Sequence, residues 1–158
     1  MKTFRAPWGQ SLKWVSVLSV VLLLGVGFWI TTLPGPRPLG YVPLALFVGM
    51  ALGAALFMIR GYTVTPEVVL VHRPFWDTRL PREGLVSATV EPKAMKGSLK
   101  LCGNGGMYSF TGWYWSKKLG HFQPYVTDLN RTVVLRWEKR TVVVSPDDPE
   151  GFVREVLG

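Results

Sequence analysis

Two histidines, one cysteine and ten carboxylates are the side chains through which this 158-residue chain could do acid–base, nucleophilic or metal chemistry. Their spacing supports none of the three. His72 falls in a stretch of strand composition and His121 in a glycine-rich loop, so the pair lacks the one-turn helical spacing by which two imidazoles grip a metal. Cys102 stands between Leu101 and Gly103 with no base beside it in sequence, and reads as a small buried thiol rather than a nucleophile. As the single cysteine it can close no disulfide within the chain and build no cysteine cage for zinc. Asp147 and Asp148 read as helix caps, while Asp77 and Asp128 form no recognisable carboxylate pair for acid and base work. Gly103-Asn-Gly-Gly106 is not a phosphate loop, because no Lys-Ser or Lys-Thr follows and no helix start is signalled. The expectation is a chain that is not an enzyme and uses no cofactor or metal.

The most unusual segment is aromatic. From Gly103 to Tyr125, the rings of Tyr108, Phe110, Trp113, Tyr114, Trp115, Phe122 and Tyr125 crowd among glycines, with Lys117 and Lys118 beside the Trp-Tyr-Trp run. Two uses compete. Trp113, Tyr114, Trp115, Lys117 and Lys118 suit a membrane or partner contact, each cation near an anionic surface adding about 1 kcal/mol. Alternatively the rings fill a barrel, and the glycines let the chain adopt positive φ or pass close to another backbone. A looser basic series, Arg79, Arg82, Lys93, Lys96 and Lys100, reads as a solvated face before it reads as a surface for anionic lipid or an acidic partner.

These residues need elements to hold them, and the first elements are hydrophobic. Trp14 to Leu33 and Leu39 to Ile59 are uncharged stretches, each about the length of a membrane-spanning helix, separated by Pro34-Gly-Pro-Arg-Pro38. Pro34 disfavours helix at Leu33, and Pro36 and Pro38 are expected to keep the next residues extended. The boundaries that follow are a basic cytoplasmic arm over 1–13, a transmembrane hairpin over 14–60 and one domain over 61–158. Trp8, Trp14, Trp29 and Tyr41 sit where amphipathic rings favour the headgroup layer.

Of the net charge of +8, the arm contributes Lys2, Arg5 and Lys13 with no acid. From Arg60 onward fourteen Lys and Arg face ten Asp and Glu, a balance of +4. So mild an excess offers little counterion release, which argues against nucleic acid as a partner. Cations flanking the spans predict a cell-membrane protein with two spans and both termini cytoplasmic. The rival is a cleaved secretory signal followed by one anchor, disfavoured because the first apolar run is long and no small-residue cleavage pattern precedes Pro34. Ala45, Gly49 and Gly53 recur every four residues in the second span and mark a stripe for close helix packing, expected to meet the first span at Gly25 or Gly27, with homo-oligomer formation as the alternative.

After Arg60 the pattern turns to short strands: Tyr62 to Thr65, Val68 to Arg73, Trp76 to Leu80, Leu85 to Val90, Ser98 to Cys102, and a hairpin of Thr132 to Trp137 with Thr141 to Val144. Ser145-Pro-Asp-Asp-Pro-Glu150 then opens a short amphipathic helix presenting Phe152, Val153, Val156 and Leu157 on one face. Antiparallel strands closed by one terminal helix predict a curved sheet or open barrel capped by that helix.

On these residues the part after Gly61 resembles the bacterial pleckstrin-homology-like (PH-like) domains found behind one or two membrane spans. The matching stretches are Tyr62-Thr-Val-Thr-Pro66, Gly103-Asn-Gly-Gly106, Gly112, Leu119-Gly120-His-Phe122 with Tyr125-Val-Thr127, and Val142-Val-Val-Ser-Pro-Asp-Asp-Pro149 with Phe152. The resemblance implies two orthogonal sheets capped by a helix; it implies architecture more than activity. The functional expectation is a PH-like domain fixed to the bilayer for interaction with an unidentified membrane or cytoplasmic protein. A lipid-headgroup sensor and an accessory subunit of a transporter or membrane enzyme are the alternatives.

Overall fold

The first residues of the chain are already part of a sheet. In a computed structural model, which describes residues 1–34 and 37–158, strand β1 (Lys2–Arg5) pairs antiparallel with β2 (Gly61–Val64), placing Phe4 opposite Tyr62. Phe4 and Ala6 are buried in the domain core, while Lys2 and Arg5 stay exposed. The expected arm over 1–13 is thus not a separate segment, and the domain is assembled from both sides of the helical pair. Four residues with one inward ring give little strand signal by themselves; the partner that makes β1 a strand lies some sixty residues away. Arg5 is fastened twice to Asp147: its N–H donates to the Asp147 carboxylate at 3.0 Å, and the Asp147 N–H donates back to the Arg5 carbonyl at 3.0 Å.

Helix α1 (Gln10–Thr31) starts before the expected Trp14, and its first turns belong to the domain. Leu12 is fully buried, and the buried Ser16 hydroxyl donates to the Gly106 carbonyl (3.1 Å) and accepts from the Tyr108 N–H (2.9 Å). Helix α2 (Arg37–Leu56) contains Pro38 in its first turn, where a missing N–H costs nothing, so Pro38 does not hold the chain extended as expected. Gly35 and Pro36 of the expected turn lie outside the described residues. The helices meet at Gly27, where an added Cβ would fall 3.0 Å from the Phe47 ring and 3.2 Å from the Leu44 Cα. The stripe of Ala45, Gly49 and Gly53 does not make the expected contact with α1: a Cβ at Gly25, Gly49 or Gly53 would touch nothing within 4 Å. Leu44 and Phe47 occupy the facing side of α2 instead, and a helix can show only one face to one neighbour.

Among the described residues one helix, Gln10–Thr31, is long and apolar enough to cross a membrane. Helix α2 stops short of the expected end at residue 59, because the chain leaves helical geometry after Leu56 and delivers Ile59 to the domain core. Along the pair, Val17, Leu18, Val21, Leu22, Phe28, Trp29, Leu46 and Leu52 are exposed. So large a continuous apolar surface is the mark of membrane or partner contact.

The domain has two sheets. One runs β1-β2-β3-β4, with β3 at Val68–His72 and β4 at Asp77–Pro81. The other runs β5-β9-β10-β8-β7-β6, from β5 (Leu85–Val90), β6 (Leu99–Gly105), β7 (Phe110–Ser116), β8 (Gly120–Val126), β9 (Val133–Trp137) and β10 (Thr141–Val144). One pair, β8 with β10, is parallel, so the expected all-antiparallel curvature is interrupted there. The stretch expected as a glycine-rich loop is largely β7 and β8, and His121 lies in β8. Glycines hid these strands in the sequence.

Between the sheets lies a core of Val69, Val71, Leu80, Leu135, Val142 and Val144, closed at one end by helix α3 (Pro149–Leu157) through Phe152 and Val156. Phe152 meets the Phe4 and Tyr62 rings edge-on, with centroids 5.2 and 6.0 Å apart. The Tyr62 hydroxyl donates to the Tyr125 carbonyl at 2.6 Å and accepts from the Ser145 N–H at 3.1 Å, and burial pushes its pKa up to about 12. Asp148 caps α3 by accepting from the Gly151 N–H at 2.9 Å, as the sequence suggests. Asp147 does not cap; it holds β1. On the other face of the second sheet, Leu12 of α1 packs with Phe110, Tyr114, Phe122, Val126, Val134 and Val143.

Candidate functional site

The sandwich that α3 plugs at one end meets α2 at another, and a cleft of about 620 Å³ lies in that junction. Its walls come from three places: Met50, Gly53, Ala54 and Phe57 at the end of α2, Arg73 where β3 ends, and Gly103, Asn104, Thr111, Gly112, Gln123 and Tyr125 on β6 to β8. Gly103 and Gly112 face each other across the ladder with φ of 109° and 119°. A Cβ at Gly103 would fall 2.4 Å from the Thr111 carbonyl oxygen, and one at Gly112 would fall 2.2 Å from that of Cys102. Only glycine fits either place, and at this pair the wall is bare backbone.

Among the described residues Arg73 is the one charged residue that lines the cleft. The Phe57, Trp76 and Tyr125 ring centres lie 5.4, 5.7 and 5.6 Å from its guanidinium carbon. Nε donates to the Thr78 hydroxyl at 3.2 Å, whereas the buried Nη1 has no acceptor among the described residues. Burial lowers the Arg73 pKa from its ordinary value, with a smaller coulombic effect of Tyr125 in the opposite direction. The turn after Arg73 carries Phe75 and Trp76, which are 78% and 41% exposed, next to Phe57 at 46%. Phe57 and Trp76 meet edge-on at 5.4 Å. An aromatic group beside a cation at the foot of an apolar helix has the composition of a membrane-interface belt. In the sequence Arg73 counts only as one of the cations that follow the second apolar stretch, and Phe57 and Phe75 carry no expected role, although three apolar or aromatic residues in a turn, Pro74-Phe75-Trp76, are signal enough to notice.

The expected contact residues are dispersed. Trp113 is 49% exposed on β7, Trp115 is half-buried, and Tyr114 points into the core, where its hydroxyl donates to the Asn104 carbonyl at 2.8 Å and burial raises its pKa to about 12. Lys117 and Lys118 are exposed at the β7–β8 turn, and Lys118 pairs with Glu91 at 2.5 Å. That turn is at the far end of β7 from Ser109, whose hydroxyl donates to the Phe57 carbonyl at the end of α2. Seven residues of strand span roughly 20 Å, so the lysines and the helix exit sit at opposite ends of β7. Of the stripe, Ala45 and Gly49 are exposed and Gly53 lines the cleft. Cys102 is exposed rather than buried, because it lies on the edge strand β6. In the basic series, Arg79, Lys93, Lys96 and Lys100 are exposed, and Arg82 is bonded to carbonyls.

One constellation has the connectivity of a nucleophile, base and carboxylate. The Thr63 hydroxyl lies 2.7 Å from His72 Nε2, and His72 Nδ1 lies 2.8 Å from Asp77 Oδ1. Thr63 is buried, its oxygen is shared with the Thr3 hydroxyl at 3.0 Å, and neither of the two large clefts borders it. The four residues lie on successive strands β1 to β4 and form a polar ladder across the sheet. Among the described residues no group of three or more His, Cys, Asp or Glu could hold a metal ion.

Neither a curated protein nor a solved structure matches the chain. The family model described as bacterial PH domain matches residues 60–158, the stretch that runs from β2 through α3 and leaves out β1 and the helical pair. With two sheets, a capping C-terminal helix and a match over more than half its length, the chain belongs to the bacterial PH domain family.

Proposed function

We propose that this is a two-pass membrane protein whose PH-like domain and both termini lie on the cytoplasmic side, where it acts by binding a protein partner rather than by catalysis. The pairing of β1 with β2 supports the topology, because the segment before α1 and the segment after α2 share one sheet. If α1 crosses the bilayer, α2 must bring the chain back. Removal of the N-terminal segment as a cleaved signal would strip Phe4, Ala6 and Leu12 from the two cores. Clamped at both ends, the domain cannot leave or reorient, so weak lipid affinity adds nothing to its localisation, and its use lies in the surface it presents.

The observation that favours a protein partner is strand β6. It is the outer strand of its sheet and is exposed over nearly its whole length, with Leu99 and Leu101 apolar beside Trp113. An unpaired edge offers N–H and C=O groups to an added strand, and apolar neighbours supply side-chain contacts. A bulge between Lys100 and Cys102 and the lysine itself discourage indiscriminate pairing. A photo-crosslinker at Leu101 in native membranes is expected to capture a discrete protein, lost when Leu99 and Trp113 are both replaced by Ser. Capture no stronger than that from the exposed turn residue Glu138 would refute the proposal. The exposed Cys102 tests sidedness: a membrane-impermeant maleimide should label it in inverted vesicles and leave it unmodified in intact cells.

A further inference from the structure

Arg73 is chemically incomplete. Three rings attract its charge, each by about 0.5–2 kcal/mol, but a ring face offers no lone pair in the guanidinium plane. Nη1 therefore remains an enclosed donor without an acceptor, an arrangement that ordinarily destabilises a fold. Among the described residues no carboxylate lines the cleft to compensate. The larger cleft at the α3 end, about 690 Å³, shows the ordinary solution: Glu67 and Glu83 line it, and its Arg82 donates to the Thr65 and Val156 carbonyls at 2.9 and 2.7 Å.

The rest of the Arg73 cleft is apolar and leads along a helix. Met50, Gly53 and Ala54 form the α2 wall, and Leu46 stands one turn before Met50 on the same face, exposed. A cation at the foot of an open apolar helix face matches a molecule with an anionic head and an aliphatic tail. The partner of that chemistry beside a membrane helix is a lipid.

We propose that this cleft binds an anionic membrane phospholipid, with its phosphate on the Arg73 guanidinium and one acyl chain along Met50 and Leu46 of α2. Guanidinium and phosphate form paired charge-assisted hydrogen bonds that an ammonium cannot reproduce. Entry requires movement of Phe57 or Trp76, both more than two-fifths exposed, and leaves the buried core in place. Gly103 and Gly112, paired across the ladder, present bare backbone to the cleft. The proposal rests on the helical pair lying in the bilayer, which alkaline carbonate extraction of the same membranes tests separately.

The test uses the full-length protein in detergent with equal amounts of phosphatidylglycerol and phosphatidylcholine, with bound lipid read by native mass spectrometry. Phosphatidylglycerol should be preferred by about tenfold. The preference should vanish in Arg73→Leu and weaken in Arg73→Lys. Gly53→Phe, which fills the cleft from a position where a Cβ meets nothing within 4 Å, should abolish it while leaving the charge in place. Lys117→Glu with Lys118→Glu should leave it unchanged. Excess glycerol phosphate should not compete, which separates a lipid site from a site for free phosphate. Equal binding of the two lipids by the native chain, a preference that survives Gly53→Phe, or displacement by glycerol phosphate overturns the proposal. So does a crosslinker at Met50 that captures a protein in place of lipid. Should Arg73→Leu fail to fold, Arg73→Lys and Gly53→Phe still decide the matter.

Discussion

Two arginines mark two ends of the same sandwich, and they are treated in opposite ways. At the α3 end, Arg82 gives its nitrogens to the Thr65 and Val156 carbonyls and ties the terminal helix to the β2–β3 turn. At the α2 end, Arg73 is surrounded by rings and has an enclosed nitrogen without an acceptor. The first end is finished by the chain itself, with Phe152 and Val156 sealed against β1 and β2. The second is open, walled by glycines and apolar helix, and set among half-exposed aromatics. One end of the core is sealed by the chain's own terminal helix, and the other, where the apolar helix α2 arrives, is left as an open cleft.

The contrast can be broken most forcefully through the rings. Phe152→Ala should cost about 3–5 kcal/mol, while Phe57→Ala, at the half-exposed end, should cost less than about 1 kcal/mol. Denaturant unfolding followed by tryptophan fluorescence measures both, and equal losses would erase the distinction. Next comes the glycine wall: Gly112→Ala should destabilise by about 1–3 kcal/mol, since a left-handed backbone and a carbonyl 2.2 Å from the new Cβ leave it no room. A tolerated alanine there would mean that the wall can yield.

The arginines sharpen the comparison further. Arg82→Leu strands two carbonyls and should cost about 1–3 kcal/mol. Arg73→Leu in lipid-free detergent should fall within about 0.5 kcal/mol of the native chain, because it removes an unsatisfied donor along with the stacking. A loss at Arg73 as large as that at Arg82 would show that the rings alone complete the site.

The smallest effect, absent at neutral pH, concerns the tyrosines. Burial raises both Tyr62, beside Phe152, and Tyr114, in the second core, from 10.0 to about 12. A raised folded-state value means that the neutral phenol is favoured by folding. The stabilisation is complete below pH 10 and is lost as pH climbs toward about 12. Unfolding midpoints should therefore fall across that window, with tyrosinate absorbance rising only as the chain unfolds. Early ionisation without unfolding would place one of these hydroxyls in water.

Legibility in the sequence followed how local each signal was. The last strand and helix could be read because Ser145-Pro-Asp-Asp-Pro149 stops one element and caps the next within a few residues. Strand β5 and the hairpin of β9 and β10 are rich in Val and Thr, without glycine or proline inside, and were likewise readable. Strands β7 and β8 were missed because Gly112 and Gly120, at positive φ, and Pro124 interrupt the composition that marks a strand. The Trp113 to Lys118 run drew attention by density, yet alternation on β7 sends Tyr114 inward and Trp113 outward and leaves the lysines at a distant turn. The Arg73 cleft could not be read at all. Its walls come from α2, the end of β3 and three strands of the other sheet, and no window of sequence contains them together.

By itself, the amino-acid sequence determined a long apolar N-terminal helix, a β-rich domain behind it and a helix to close that domain, because hydrophobic run length, β-branched composition and capping chemistry act between near neighbours. The tertiary structure alone decided that Lys2–Arg5 is a strand, that the small-residue stripe faces away from α1, and that Arg73 Nη1 is enclosed with no acceptor among the described residues. Each of these depends on which distant backbone or ring lies alongside, and such proximity is a property of the folded chain rather than of any segment.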